Sequence, residues 1–313
     1  MISWLLVIIA SYLFFSLAFF GDKLVLSGPP NPRLYTFYVG FLGGLVILLA
    51  PFSTFSLPVP LILLWIVLEI IVYVLGLYAM FIALEKFEVS RVMTTIGALQ
   101  PILILLFTWV FWSQEVMTGM NFLAFLLLVT GGVMISFGRK FKITGNYVLL
   151  VVFSSLMFSL DYIFSKMIFL NMPFLQSIIW MRTGAALLVL LLLFDKKLRI
   201  QIFIPIFSGI FRNKTIKIEK GAFDKKTGII FLCSQTMGGI AAFLQSLAIS
   251  LAPISYLAII SSLRGIQYVF LFIITLFFSY FFPKILKEDI SWKIILQKTI
   301  SIILIVMGLA IIL

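Results

Sequence analysis

The chain has 313 residues, 63% of them hydrophobic and only 11% charged, with a mean hydropathy of +1.23. A water-soluble domain carries about 25% charged side chains, so this composition excludes one and points to a protein whose surface faces lipid. The net charge of +12 would suit a nucleic-acid binder in a soluble chain, but in an apolar one the basic residues orient the spans, and no nucleic-acid partner is expected.

A helix needs roughly 20 mostly apolar residues to cross about 30 Å of hydrocarbon. In chain order the sequence predicts ten such spans: 2–20, 34–52, 60–84, 91–113, 118–138, 146–169, 173–194, 228–250, 254–282 and 291–313. The first lacks a basic leader and a cleavage site, so it is expected to stay as a span. Proline and glycine mark the breaks: Gly28-Pro29-Pro30-Asn31-Pro32, Pro51, Pro58-Val59-Pro60, Asn171-Met172-Pro173 and Ala252-Pro253. Between the seventh and eighth spans lies one longer basic loop, 195–227, read as a solvated linker. Gly40 and Gly44 form a GxxxG packing face. Trp4, Trp65, Trp109, Trp112 and Trp292 lie near span ends and read as interfacial anchors.

Lysine and arginine fall on alternate loops. Nineteen of the 23 lie on one side, among them Lys23, Arg33, Lys86, Arg91, Arg139, Lys140, Lys142, Lys284, Lys287, Lys293 and the nine of the long loop. The opposite loops hold none. By the positive-inside bias the basic side is cytoplasmic and both termini face out, in a cell (plasma or inner) membrane.

The remaining four basic residues, Lys166, Arg182, Arg264 and Lys298, lie within spans, as do Glu69 and Asp161. At about 1.5 Å per residue all but Lys166 fall near mid-depth. A charge there costs at least ~2.5–3.5 kcal/mol unless it is paired or faces water. Asp161 and Arg182, at equal depth on consecutive spans, read as an ion pair of structural or functional use. Glu69 and Arg264 have no evident partner on the next span. Lys166 lies near a span end and is expected to snorkel to the interface. Ser261, Arg264 and Tyr268 share a helical face, Gln100 lies at a matching place in the other half, and Gln235 and Gln245 stand on a stripe of polar and small residues in the eighth span.

The halves repeat. Ser11-Tyr-Leu-Phe-Phe-Ser-Leu matches Ser154-Ser-Leu-Met-Phe-Ser-Leu at an offset of 143, and Leu99-Gln100-Pro101-Ile102 matches Leu263-Arg264-Gly265-Ile266. The expected fold is therefore all-α and integral to the membrane, with ten transmembrane helices in two inverted five-helix repeats, 1–140 and 141–313. Five spans per repeat turn the second copy upside down, and such repeats place a substrate site near the midplane.

The run Ala83-Leu84 to Gln100-Pro101-Ile102, then Glu115-Val-Met-Thr-Gly and Val129-Thr-Gly-Gly-Val-Met-Ile, resembles the EamA-type repeat of the drug/metabolite transporter superfamily. The second half is similar but has no Glu matching Glu115. The resemblance implies a carrier that exports small metabolites on an ion or counter-solute gradient. The charge pattern departs from the family's usual orientation, in which both termini are cytoplasmic.

These readings make the chain a secondary carrier of a small anionic or zwitterionic molecule. Arg264, Gln100, Ser261, Tyr268, Gln245 and Gln235 are the expected substrate contacts, and Glu69 and Asp161 the expected ion- or proton-coupling groups. The alternatives are a lipid flippase or a scaffold without transport. An enzyme is not expected: no histidine is present, and neither HExxH nor a phosphate-cradling GxxxxGK[ST] loop occurs. One cysteine, Cys233, makes neither a disulfide nor a metal site, and no cofactor is expected.

Overall fold

Lipid offers the backbone no hydrogen-bond partner, so an apolar chain must satisfy its own amides and carbonyls, and helices do so within each segment. The computed structural model describes residues 3–25, 32–53, 56–87, 89–113, 117, 119–136, 144–196, 198–200, 225–281 and 292–312. Helices stand at all ten stretches that the sequence marks. They are α1 (Ser3–Val25), α2 (Pro32–Gly43), α3 (Pro60–Lys86), α4 (Val89–Phe111), α5 (Gly119–Ser136), α6 (Gly145–Asn171), α7 (Phe174–Leu190) and α8 (Lys225–Leu251). The ninth stretch is divided into α9 (Leu257–Ser262) and α10 (Arg264–Phe281), and the tenth is α11 (Trp292–Ile312). Helix α2 continues as 3-10 helix over Gly44–Phe52, and α7 over Leu191–Phe194. Eight of these stretches are long and apolar enough to cross a membrane; Gly119–Ile135 and Leu296–Ile312 are shorter apolar helices.

Local chemistry sets several ends. Pro60 opens α3, where its missing N–H is not needed. The Thr144 side chain accepts the Tyr147 amide at the start of α6. Pro173 precedes α7. Glu115, Arg139, Lys140, Lys142, Lys284, Lys287 and most of the 195–227 loop lie outside the described residues.

Pairing follows small residues and hydroxyls. Helix α1 packs on α8, α3 on α6, and α5 on α11; α4 also meets α6, and α1 meets α10. Ser11 Oγ donates to the Ala241 carbonyl on α8 at 2.7 Å, and Ser154 Oγ donates to the Gly76 carbonyl on α3 at 3.1 Å. Ser16 Oγ donates to the Gln267 carbonyl on α10 at 2.9 Å, and Ser159 Oγ to the Gln100 carbonyl on α4 at 3.2 Å. The glycine face expected at Gly40 and Gly44 seats α7: a methyl group on either would strike Val189 or Ala186. Helices α5 and α10 cross at Gly132 and Gly265, where a Cβ on Gly265 would stand 3.1 Å from Gly132 Cα.

The largest buried cluster runs through Ile8, Tyr12, Ile104, Leu128, Ile163 and Leu263. Outward faces carry Leu48, Trp109, Leu149, Leu187 and Leu232, an exposed apolar surface that suits lipid.

Two expectations are corrected. Lys166 does not snorkel: it is buried, and its Nζ donates to the carbonyls of Ile249, Ser250 and Ala252 at 3.1, 3.1 and 2.6 Å. Those carbonyls end α8 with no intrahelical partner, and the helix dipole favours a cation there. Trp4 is also buried, packed against Tyr256 with ring centroids 5.2 Å apart, so it belongs to the core rather than to an interfacial belt.

Candidate functional site

Two clusters of polar groups lie inside the bundle. The first joins α3, α6 and α7. Arg182 Nη1 lies 3.8 Å from Glu69 Oε1, and the guanidinium sits over the Tyr73 ring, 4.1 Å from its centroid. Asp161 on α6 acts on both Arg182 and Glu69. Glu69 thus finds its partner on α7 rather than on the next span, and it is Glu69, not the expected Asp161, that forms the ion pair with Arg182. Helix geometry explains how: Glu69, Tyr73 and Gly76 share one face of α3, and Gly76 lets the α6 side chains Met157 and Phe158 approach closely. Both oxygens of Glu69 and Oδ1 of Asp161 are buried without a hydrogen-bond partner among the described residues. Two carboxyls and one guanidinium sum to −1 when all are ionised, so one proton or one monovalent cation would balance the group.

The second cluster surrounds Arg264, the first residue of α10. Tyr12 from α1, Tyr162 from α6 and Tyr268 from α10 are the groups that act on its guanidinium. Tyr12 also interacts with Gln245 of α8, and its hydroxyl donates to the Ile260 carbonyl of α9 at 2.8 Å. That bond fixes α9 just before the one-residue interruption at Leu263, where Arg264 begins a new helix. Gly97 on α4 admits the pair from the other side: a Cβ there would be 3.1 Å from the Tyr268 hydroxyl and 3.3 Å from Arg264 Cδ. Gln100 lies one turn further along the same face of α4 and is buried. Ser261 Oγ, Gln245 Nε2, Gln100 Oε1 and the Tyr162 hydroxyl are buried without a hydrogen-bond partner among the described residues. Among the described residues no carboxylate pairs with Arg264, in contrast to Arg182.

The clusters meet on α6, where Asp161 and Tyr162 are consecutive; Tyr162 acts on Arg264 and feels the Asp161 charge. Of the residues expected to bind substrate, Arg264 and Tyr268 lie together, Gln245 joins them through Tyr12, and Gln100 and Ser261 stand on the adjoining turns of α4 and α9. Gln235 is half-buried on α8, ten residues or about 15 Å from Gln245. Lys298 places its Nζ 3.8 Å from the centroid of Phe272. Sequence reasoning missed Tyr12 and Tyr162, because a tyrosine in an apolar run reads as core. A signal existed for Tyr12: it directly follows Ser11, and the repeat aligns it with Ser155 rather than another aromatic residue.

Comparison with known proteins gives the fold alone. No family model and no curated protein matches the chain. A solved crystal structure covers 99% of this chain and 96% of its own, with a TM-score of 0.67 at 18% sequence identity. At that identity the likeness speaks for a shared architecture and for nothing about activity.

Proposed function

We propose that this chain is a secondary-active membrane carrier whose substrate is a small molecule bearing an anionic group, bound at Arg264. One observation carries the reading: a guanidinium among membrane helices, ringed by tyrosines, with no carboxylate partner among the described residues. An intramembrane cation marks a functional site by default, since leaving it unpaired is costly, and a bound anion supplies the missing charge. Arginine fits a carboxylate or phosphoryl group by forked hydrogen bonds, and Ser261, Gln245 and Tyr162 offer further donors. In this scheme Glu69 and Asp161 couple substrate movement to a proton.

The carrier architecture is two inverted five-helix repeats of ten spans, of the EamA kind. The paired serine bonds support it. Residues aligned at an offset of 143 each bond a helix of the opposite half, Ser11 to α8 and Ser154 to α3, then Ser16 to α10 and Ser159 to α4. The charge pattern supports a cell-membrane protein with its basic loops cytoplasmic and both termini outside. Export is the direction that the family resemblance suggests.

A thermal-shift screen of the purified protein tests the substrate reading, with amino acids, nucleotides, sugar phosphates and lipophilic cations as ligands. An anionic metabolite present at 100 times its Kd would add about 2.7 kcal/mol of stability, and Arg264→Ala would abolish the gain. Stabilisation that survives in Arg264→Ala, or none by any anion, would overturn the proposal.

A further inference from the structure

The two clusters have opposite charge. With every group ionised, Glu69, Asp161 and Arg182 sum to −1 and Arg264 contributes +1, so the pair of clusters is neutral when no substrate is bound. An anion docking on Arg264 breaks that balance. The excess negative charge reaches the carboxyl pair through α6, where Asp161 and Tyr162 are neighbours and Tyr162 acts on Arg264. A proton taken up by Glu69 or Asp161 restores neutrality.

Resting on the anion-site reading above, we propose that the Arg264 site and the Glu69–Asp161 pair bind their ligands together, so that one proton accompanies each substrate anion. The coupling is positive: the proton and the anion favour each other's binding. A carrier in which they competed for one group would show the opposite sign. Direction then follows the gradients. An outward gradient of the anion carries protons out with it, and an inward proton gradient carries the anion in.

The groups that face the carboxyl pair are few. Helix α3 gives Tyr73 beside Glu69, α7 gives Arg182, and α6 gives Tyr162. Gly97 on α4 and Gln245 on α8, both uncharged, lie against the Arg264 cluster. Lys166, on the next turn of α6, is committed to the α8 carbonyls. Tyr12 and Tyr268 surround Arg264. The chain has no histidine, so no side chain of ordinary affinity changes charge between about pH 5.5 and pH 8 and confuses the readout.

Two charges on the order of 10 Å apart, at an effective dielectric of about 20, interact strongly enough to change an affinity by about tenfold. Benzenesulfonate and methanesulfonate remain anionic throughout this range and serve as probes. Their binding to the full-length protein in detergent would be followed by calorimetry at about pH 5.5 and about pH 8. A companion titration in weak buffer would count protons. The expected result is binding about tenfold tighter at the acidic end, with up to one proton taken up per sulfonate bound. Asp161→Asn and Glu69→Gln would each reduce both effects, and either variant serves if the other fails to fold. Binding that is independent of pH, or weaker on acidification, would overturn the coupling and leave the anion site standing. Failure of both sulfonates to bind at either pH would overturn the anion site and the coupling with it.

Discussion

Ser11 and Ser154 occupy the same place in the two halves of the sequence and donate matching hydrogen bonds, Ser11 to Ala241 and Ser154 to Gly76. Each bond joins helices from opposite halves and removes a hydroxyl that lipid could not satisfy. Ser11→Ala and Ser154→Ala should each lower stability by about 1 kcal/mol. The sites share no partner, so the double variant should lose about the sum. Unfolding curves in mixed detergent would measure this; a negligible loss at both positions would deny the bonds a role in holding the bundle.

Lys166→Met should cost about 3 kcal/mol, since it removes a charged donor from three carbonyls at the end of α8 while keeping side-chain length. The same unfolding measurement applies. A snorkelling lysine would instead tolerate the change within about 0.5 kcal/mol.

Arg182→Leu should destabilise by about 3–5 kcal/mol, because Glu69 and Asp161 lose the cation that balances them. Adding Glu69→Gln should recover part of the loss, with a coupling of about 1–3 kcal/mol in the double-mutant cycle. Strictly additive effects would mean that the two residues do not interact.

Gly97→Ala separates binding from folding. Its methyl group would press on the Tyr268 hydroxyl and Arg264 Cδ, the movable ends of long side chains, and would disturb the Tyr268 bond to the Met93 carbonyl. The melting temperature should change little. Sulfonate affinity, measured by calorimetry, should fall by about tenfold, because a small displacement of a binding group is costly. Unchanged affinity would place the anion away from this face.

The helices were legible because lipid imposes one simple demand on composition and length. Equal depth on adjacent spans placed Asp161 in the field of Arg182, but the ion pair within 4 Å that Arg182 makes is with Glu69 rather than with Asp161. Glu69 was not placed with them, because its partner is α7, four spans away in sequence, and depth alone does not tell which helices touch. Lys166 was misread for a related reason: a position near a span end predicts an interface, whereas the structure folds the end of α8 over it. The break at Leu263 carries no proline or glycine of its own to announce it; Gly265 follows two residues later, at the crossing with α5.

The exchange of partners by α1 and α6 has a consequence for assembly. Helix α1 packs on α8, α6 on α3 and α5 on α11, so these three helices have their main packing partners in the opposite half of the sequence. A chain divided between α5 and α6 would yield two fragments that each expose serines and small residues meant for the other. Expressed together they would complement one another, as two interlocked strands of one fabric; expressed singly, each would be an incomplete membrane insertion and a ready target for degradation.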